Sequence, residues 1–250
     1  MPSKREGARS AIGRSLDIYY RDAARTARMD ALNALFVKPG GLAFDIGAHV
    51  GDRTGSFLRL GASVVAAEPQ PRVFRALRLL HGRHPKASLI RAAVGAETGT
   101  LRLHVNGANP MVSTASPALI AAAAEAETWQ GQVWDTAIDV PVTTLDGLIS
   151  EHGVPDFVKI DVEGHELAVL QGLSTPLPAL SFEFTTIQRD VAQACIDRLL
   201  ALGAYQFNVS FGEDHRFQHD AWIDAPTLRE HVRDLPMEAN SGDIFARRLV

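Results

Sequence analysis

Cysteine is all but missing: Cys195 is the single thiol among 250 residues, which excludes an intramolecular disulfide and any cysteine-built zinc site. Its neighbours Val191, Ala192 and Leu199 recur at helical spacing, so the thiol reads as a buried packing group. No apolar run is long enough to span a bilayer. The basic N-terminus lacks the apolar stretch that a secretion signal needs behind it, and a cytoplasmic protein with no integral membrane segment is expected. An excess of positive charge is also lacking. The formal net charge is −4, which argues against a nucleic-acid partner. With 46% hydrophobic and 22% charged residues, the chain is an ordinary globular one, able to bury a sheet-and-helix core without a structural metal.

The charge is uneven. Residues 1–28 carry Lys4, Arg5, Arg9, Arg14, Arg21, Arg25 and Arg28 against Glu6, Asp17 and Asp22. Such a basic leader either meets an anionic substrate or membrane surface, or is a solvated helix face. Apolar spacing from Leu16 to Phe36 predicts one helix over 15–36, stopped by Pro39-Gly40-Gly41. Residues 1–40 are therefore expected to form an N-terminal helical extension packed on a domain at 41–250.

Beyond residue 41, short apolar strands alternate with helical patterns, the mark of a parallel α/β sheet. Strands are predicted at Leu42–Ile46, Ser63–Ala67, Ser88–Ala93, Phe157–Ile160 and Leu180–Phe184. Tyr205–Phe211 and Ile244–Leu249 would close the sheet as an antiparallel pair. Helices are predicted at Asp52–Leu60, Val73–His81, Glu166–Leu173 and Val191–Leu202. A hairpin through Ala96–Gly99 into Leu101–Val105, and an insertion at about 106–140 with an Ala-rich helix at Pro117–Glu127, interrupt the plan before the fourth strand. The expected fold is thus α/β and Rossmann-like, a mostly parallel seven-stranded sheet with helices on both faces.

Three motifs carry chemistry. Asp45, Gly47 and Gly51 form a D-x-G-x-x-x-G turn between strand and helix. The glycines permit a tight turn and a close approach, and an acid there suits a cofactor with a cationic end better than a pyrophosphate. Glu68, before Pro69 at the end of the second strand, is placed to accept hydrogen bonds from both hydroxyls of a ribose. Lys159-Ile160-Asp161-Val162-Glu163-Gly164-His165-Glu166 delivers Asp161 to the carboxyl edge of the sheet, with Glu166 also favoured simply by its place at a helix start. Glu183, between Phe182 and Phe184, is a second strand-end carboxylate.

With Ala93-Val94-Gly95, Thr144-Leu145-Asp146 and Val169-Leu170-Gln171-Gly172 added, the set resembles the FkbM-family methyltransferases over roughly residues 40–185. The resemblance implies a class I methyltransferase that uses S-adenosylmethionine, acting on a hydroxyl of a sugar, glycolipid or other secondary metabolite. Cofactor-binding residues would be Asp45, Gly47, His49, Gly51, Glu68, Pro69, Ala93, Val94 and Asp161.

An alcohol must lose its proton as it attacks, and Asp161, His49, Glu163 and His165 are the candidate bases. Asp161 with Glu183 could instead hold a divalent cation, but no third ligand is evident and no metal is expected. Asn109, Ser113, Ser116 and Glu183, with Thr114, Trp129 and Trp134, are candidates to line a pocket for a small-molecule or glycan substrate. Homo-oligomerisation stays open. Two rivals are carried forward. A nicotinamide-dependent oxidoreductase would need the G-x-G-x-x-G that is missing here, and a non-catalytic adenosine-cofactor binder would keep the fold without the chemistry.

Overall fold

In the computed structural model, residues 4–249 are described, with side chains from Ala11 onward. The leader side chains Lys4, Arg5, Glu6 and Arg9 lie outside the described residues. The chain begins with two helices, α1 (Lys4–Tyr20) and α2 (Ala23–Asn33), where one was expected. The break is a capping event: the Asp22 carboxylate accepts from the Arg25 amide at 2.9 Å and starts α2 afresh.

Then follow β1 (Leu42–Ile46), α3 (Asp52–Arg59), β2 (Ser63–Ala67), α4 (Pro71–His81) and β3 (Ala87–Ile90). The next elements are β4 (Ala93–Val94), β5 (Gly99–Val105), α5 (Pro117–Glu125), β6 (Thr136–Thr143) and α6 (Leu145–His152). The last third holds β7 (Phe157–Ile160), α7 (Glu166–Gln171), β8 (Ala179–Thr185), α8 (Arg189–Leu202), β9 (Tyr205–Phe211), α9 (Ala225–Asp234) and β10 (Ser241–Arg248).

Seven strands form one sheet in the order β3-β2-β1-β7-β8-β10-β9. All pairs from β3 to β8 are parallel, and β10 runs antiparallel to both β8 and β9. The expected Rossmann-like sheet is therefore present. Strand order reverses between β1 and β7, and the carboxyl ends on either side of such a switch point are where open α/β sheets bind ligands.

Alternation along β1 sends Phe44 and Ile46 to one face and Ala43 and Asp45 to the other. The first face joins Val158, Ile160, Leu180 and Phe182 beneath α6 to α9. On the second face Phe157 stacks on Phe36 at 4.7 Å, beside Phe57 and Phe245. Each such fully buried side chain contributes about 1.5–3 kcal/mol. Cys195 is buried in the first cluster, as its spacing implied.

Two expectations need correction. The third strand stops at Ile90, and Ala93–Val94 turns away into a second sheet of order β4-β6-β5. The Ala96–Gly99 turn does not close a hairpin, because β5 pairs antiparallel with β6, more than thirty residues on, and β4 runs parallel to β6. In β6 the alternation of Ile138, Val140 and Val142 carries the apolar face, and Pro141 inside that run masked it as a strand. Helix α9 was also not foreseen; Asp224 caps it by accepting from the Thr227 amide.

Candidate active site

The β1/β7 switch point builds the site. Asp161 follows the last residue of β7, and its amide donates to the Ile46 carbonyl at 2.9 Å, which draws the two strand ends together. Gly47, at φ +80°, sits in that gap: a Cβ there would lie 1.7 Å from the Asp161 carbonyl oxygen. Gly47→Ala is expected to cost about 2–5 kcal/mol, the left-handed backbone penalty plus overpacking. Urea unfolding measures it, and a change under about 1 kcal/mol would contradict this close approach. Gly51, expected at the cofactor, does not line the cavity above these strand ends. Its φ is +87°, and a Cβ would meet His81 and Leu77 of α4 at 2.5 Å, so it packs helix against helix.

A cavity of about 340 Å³ opens above these strand ends, within the range of small-ligand sites. Gly47, His49, Glu68, Pro69, Ala93 and Val94 line it, and so do Ser113, Asp161, Glu163, His165 and Glu183. Five other expected residues, Asp45, Asn109, Thr114, Ser116 and Trp134, lie off it. Asp45 is buried, accepts from Thr54 Oγ1 at 2.6 Å, and reaches only a smaller adjoining cavity shared with His49, Arg53 and Asp161. Burial pushes its pKa up to about 6. Asn109 turns its amide toward Gln132, and Ser116 caps α5 by accepting from the Leu119 amide. Trp129 does line the cavity, but Trp134 instead donates to the Val112 carbonyl at 2.7 Å.

Glu68 ends β2 almost wholly buried. Its carboxylate accepts from the amides of His49 (3.0 Å) and Gln70 (2.7 Å), and each oxygen retains a second lone pair. Burial, only partly offset by those amides, raises its pKa to about 7. His49, at φ +48°, has both ring nitrogens buried without a hydrogen-bond partner. Burial lowers its pKa to about 4, so near neutrality the ring is an uncharged acceptor or donor.

On the other side, carboxylate oxygens of Asp161, Glu163 and Glu183 all lie within 4.8 Å of one another. Burial and the neighbouring Asp161 raise the pKa of both Glu163 and Glu183 well above the ordinary carboxylate range. Glu163 supplies the third carboxylate that seemed missing from the sequence. It holds φ +54°, uncommon for a side-chain-bearing residue, and the fold braces that turn twice. Thr114 Oγ1 donates to the Glu163 carbonyl at 2.5 Å, and Glu166 accepts from the amides of Val162 and Gly164, both at 3.1 Å. Glu166 is thus a brace for the loop, and Thr114 belongs to the same brace rather than to the pocket.

Lys159 was overlooked as a site residue. It is buried in β7 with Nζ 2.6 Å from Asp243 and 3.1 Å from Asp161. Burial opposes its charge, but Asp161 and Asp243 outweigh that and hold its pKa above the usual lysine value. A lysine inside the apolar run Phe157–Ile160 was the available signal, since a buried ammonium needs an acid. Arg53 and Glu213, also unforeseen, line the cavity. They belong to an ion-pair network with Arg25 and Asp52 that ties α2, α3 and the loop after β9 together.

Among solved structures, an O-methyltransferase from Bacillus cereus in complex with SAH has a TM-score of 0.51 at 11% identity, over 100% of this chain and 92% of that one. A TehB-like SAM-dependent methyltransferase from Corynebacterium glutamicum matches at TM-score 0.49 and 9% identity, over 98% of each chain. A precorrin-6y C5,15-methyltransferase from Geobacter metallireducens matches at TM-score 0.46 and 13% identity, over 92% and 90%. At such identities the Bacillus cereus likeness speaks for the fold alone. No curated protein matches in sequence. The family described as the methyltransferase FkbM domain matches residues 45–225, well over half of the sequence and both strand ends of the switch point, and the chain belongs to that family.

Proposed function

We propose that the chain is an S-adenosylmethionine-dependent O-methyltransferase acting on a hydroxyl of a small molecule or glycan. One observation carries the reading: a buried acid at the end of β2 and a cluster of carboxylates at the ends of β7 and β8 face one cavity. When bound, the cofactor supplies an electrophilic methyl group on a cationic sulfur. Glu68 suits the ribose hydroxyls, because its open lone pairs are held in place by two backbone amides. Pro69, Ala93 and Val94 offer an apolar wall for the adenine, and Asp161, fixed by Lys159, suits the cationic end. The residues present therefore fit the cofactor.

The acceptor proton needs a base with a pKa near the working pH. Burial, and then the neighbouring Asp161, raise Glu183 and Glu163 above the ordinary carboxylate range and make them stronger bases than a free carboxylate, whereas His49, with its pKa lowered to about 4, is a weak one. We expect Glu183→Gln to lower kcat by roughly 10²–10⁴-fold, the usual worth of a general base, with cofactor affinity within a few-fold of the parent. Single-turnover transfer from labelled S-adenosylmethionine to a panel of sugar and secondary-metabolite acceptors is the test. Transfer at the parental rate removes Glu183 from the mechanism, and no transfer to any acceptor in the parent favours a non-catalytic binder.

Cofactor binding should also release protons. Burial raises the pKa of Glu68 to about 7 in the free protein, so a proton is partly retained on it near pH 6.5. A cation, or a hydroxyl that donates, favours the ionised form. Titration calorimetry at pH 6.5 in two buffers of different ionisation enthalpy should show net release, and net uptake would contradict the assignment. The stability sign is the same. These raised carboxylates favour folding fully below their unfolded values, near 4.5, and Glu68 loses that contribution as pH climbs through about 7.

A second reading has its own support. Three carboxylate oxygens within 4.8 Å are also an arrangement that divalent cations accept, and a cation there would acidify the acceptor hydroxyl. Chelation separates the two: activity that survives EDTA supports the carboxylate base, whereas activity lost with EDTA and restored by magnesium supports the cation.

A further inference from the structure

Residues 69–96 contain Arg72, Arg75, Arg78, Arg83, Lys86 and Arg91 and not one Asp or Glu. That run stands out in a chain whose formal net charge is −4. It forms α4, the turn after it, and β3, the outermost strand at that end of the main sheet. Val73 and Leu77 bury one side of α4. Helical spacing then puts Arg72, Arg75, Arg78 and Leu79 together on the opposite side, and all four are exposed.

Elsewhere Arg25, Arg53, Arg59, Arg102 and Arg229 each meet a carboxylate. Among the described residues, none of the Arg72, Arg75, Arg78, Arg83 and Arg91 side chains appears in an ion pair or side-chain hydrogen bond. Unpaired cations in such number create a strong local positive potential. In their midst Leu79 is 77% exposed. A single exposed leucine is ordinary, but one centred in an arginine face pairs charge attraction with an apolar anchor.

We propose that the α4–β3 face is a docking surface for an anionic lipid bilayer. The lipid headgroups supply the negative charge that the arginines lack, and Leu79 enters the acyl boundary as the apolar side of an interfacial helix does. A nucleic acid would meet the same cations, but single-stranded binding draws on exposed aromatic rings for base stacking. The one aromatic residue of α4, Phe74, is half-buried against the core. Gln70, the residue just before α4, lines the cavity, so docking would hold the site close to the bilayer. Tyr20 of the leader touches His81 at the end of α4, but the cations of this surface are distinct from those of the leader, and docking here does not depend on the proposed reaction.

Sedimentation of the full-length protein with sucrose-loaded vesicles tests it. Vesicles of phosphatidylcholine with 30% phosphatidylglycerol should bind the protein, phosphatidylcholine alone should not, and binding should weaken with added salt. Arg75→Glu with Arg83→Glu should weaken binding by at least roughly tenfold and Leu79→Ser by a few-fold; circular dichroism checks that these surface variants remain folded. Changing Lys4, Arg5 and Arg9 to Glu should leave most of the binding. Absent binding to anionic vesicles overturns the proposal, and so does binding lost in the leader variant but intact in the α4 variant. Tighter binding to a mixed-sequence RNA oligonucleotide, unaffected by Leu79→Ser, also overturns it in favour of a nucleic-acid surface.

Discussion

Glu68→Ala is expected to weaken S-adenosylmethionine binding by roughly 10- to 150-fold, because hydrogen bonds to a charged group are worth about 1.5–3 kcal/mol. The carboxylate does two things at once. It accepts from the His49 and Gln70 amides, which holds the β1–α3 turn against the end of β2, and it lines the cavity with lone pairs to spare. Alanine removes both and leaves the two amides without their acceptor. Glu68→Gln separates the roles: its carbonyl oxygen keeps one amide partner but carries no charge, so affinity should fall between the parent and Glu68→Ala. Calorimetric titration with S-adenosylmethionine reads the effect. Parental affinity in both variants would remove Glu68 from the cofactor site.

Lys159→Met is expected to destabilise the protein by about 3–5 kcal/mol, the usual result of taking one partner from a buried ion pair. For a domain of this length that lowers Tm by about 6–20 °C. The physical reason is what remains: Asp243, held at 2.6 Å by Lys159, keeps a buried charge without its counter-ion. The double variant Lys159→Met with Asp243→Leu should recover most of that loss, since an apolar pair of similar volume often replaces a buried ion pair at little cost. Differential scanning calorimetry of the three proteins tests this. A Tm for Lys159→Met within 2 °C of the parent, the shift expected of less than about 1 kcal/mol, would mean that the ammonium does not hold these strands together.

Much of this site could be read along the chain. The strands at Leu42–Ile46, Ser63–Ala67, Phe157–Ile160 and Tyr205–Phe211 coincide with β1, β2, β7 and β9, because short apolar runs between turn residues leave few alternatives. The acids at strand ends, Glu68, Asp161 and Glu183, were visible for the same reason: position in a parallel strand fixes which end meets the ligand.

Register between distant strands was not legible. Asp243 on β10 sits opposite Glu183 on β8, and Lys159 reaches both Asp243 and Asp161, yet 84 residues separate Lys159 from Asp243. Nothing local announces that meeting. Asp45 shows how alternation places an acid. A strand-end acid in a cofactor turn was read as facing the ligand, but alternation sends it beneath the turn to Thr54. The second sheet was misread because β4 and β5 find their partner only in β6, and a pairing of that range leaves no trace in the turn before β5.

The central claim is that the cavity at the β1/β7 switch point takes S-adenosylmethionine. Titration calorimetry of the purified protein with S-adenosylmethionine, its demethylated product and NAD tests it most directly. The account predicts one-to-one binding of the first two, weakened in Glu68→Ala, with no heat from NAD. Binding of NAD, with none of S-adenosylmethionine or its product, would contradict it.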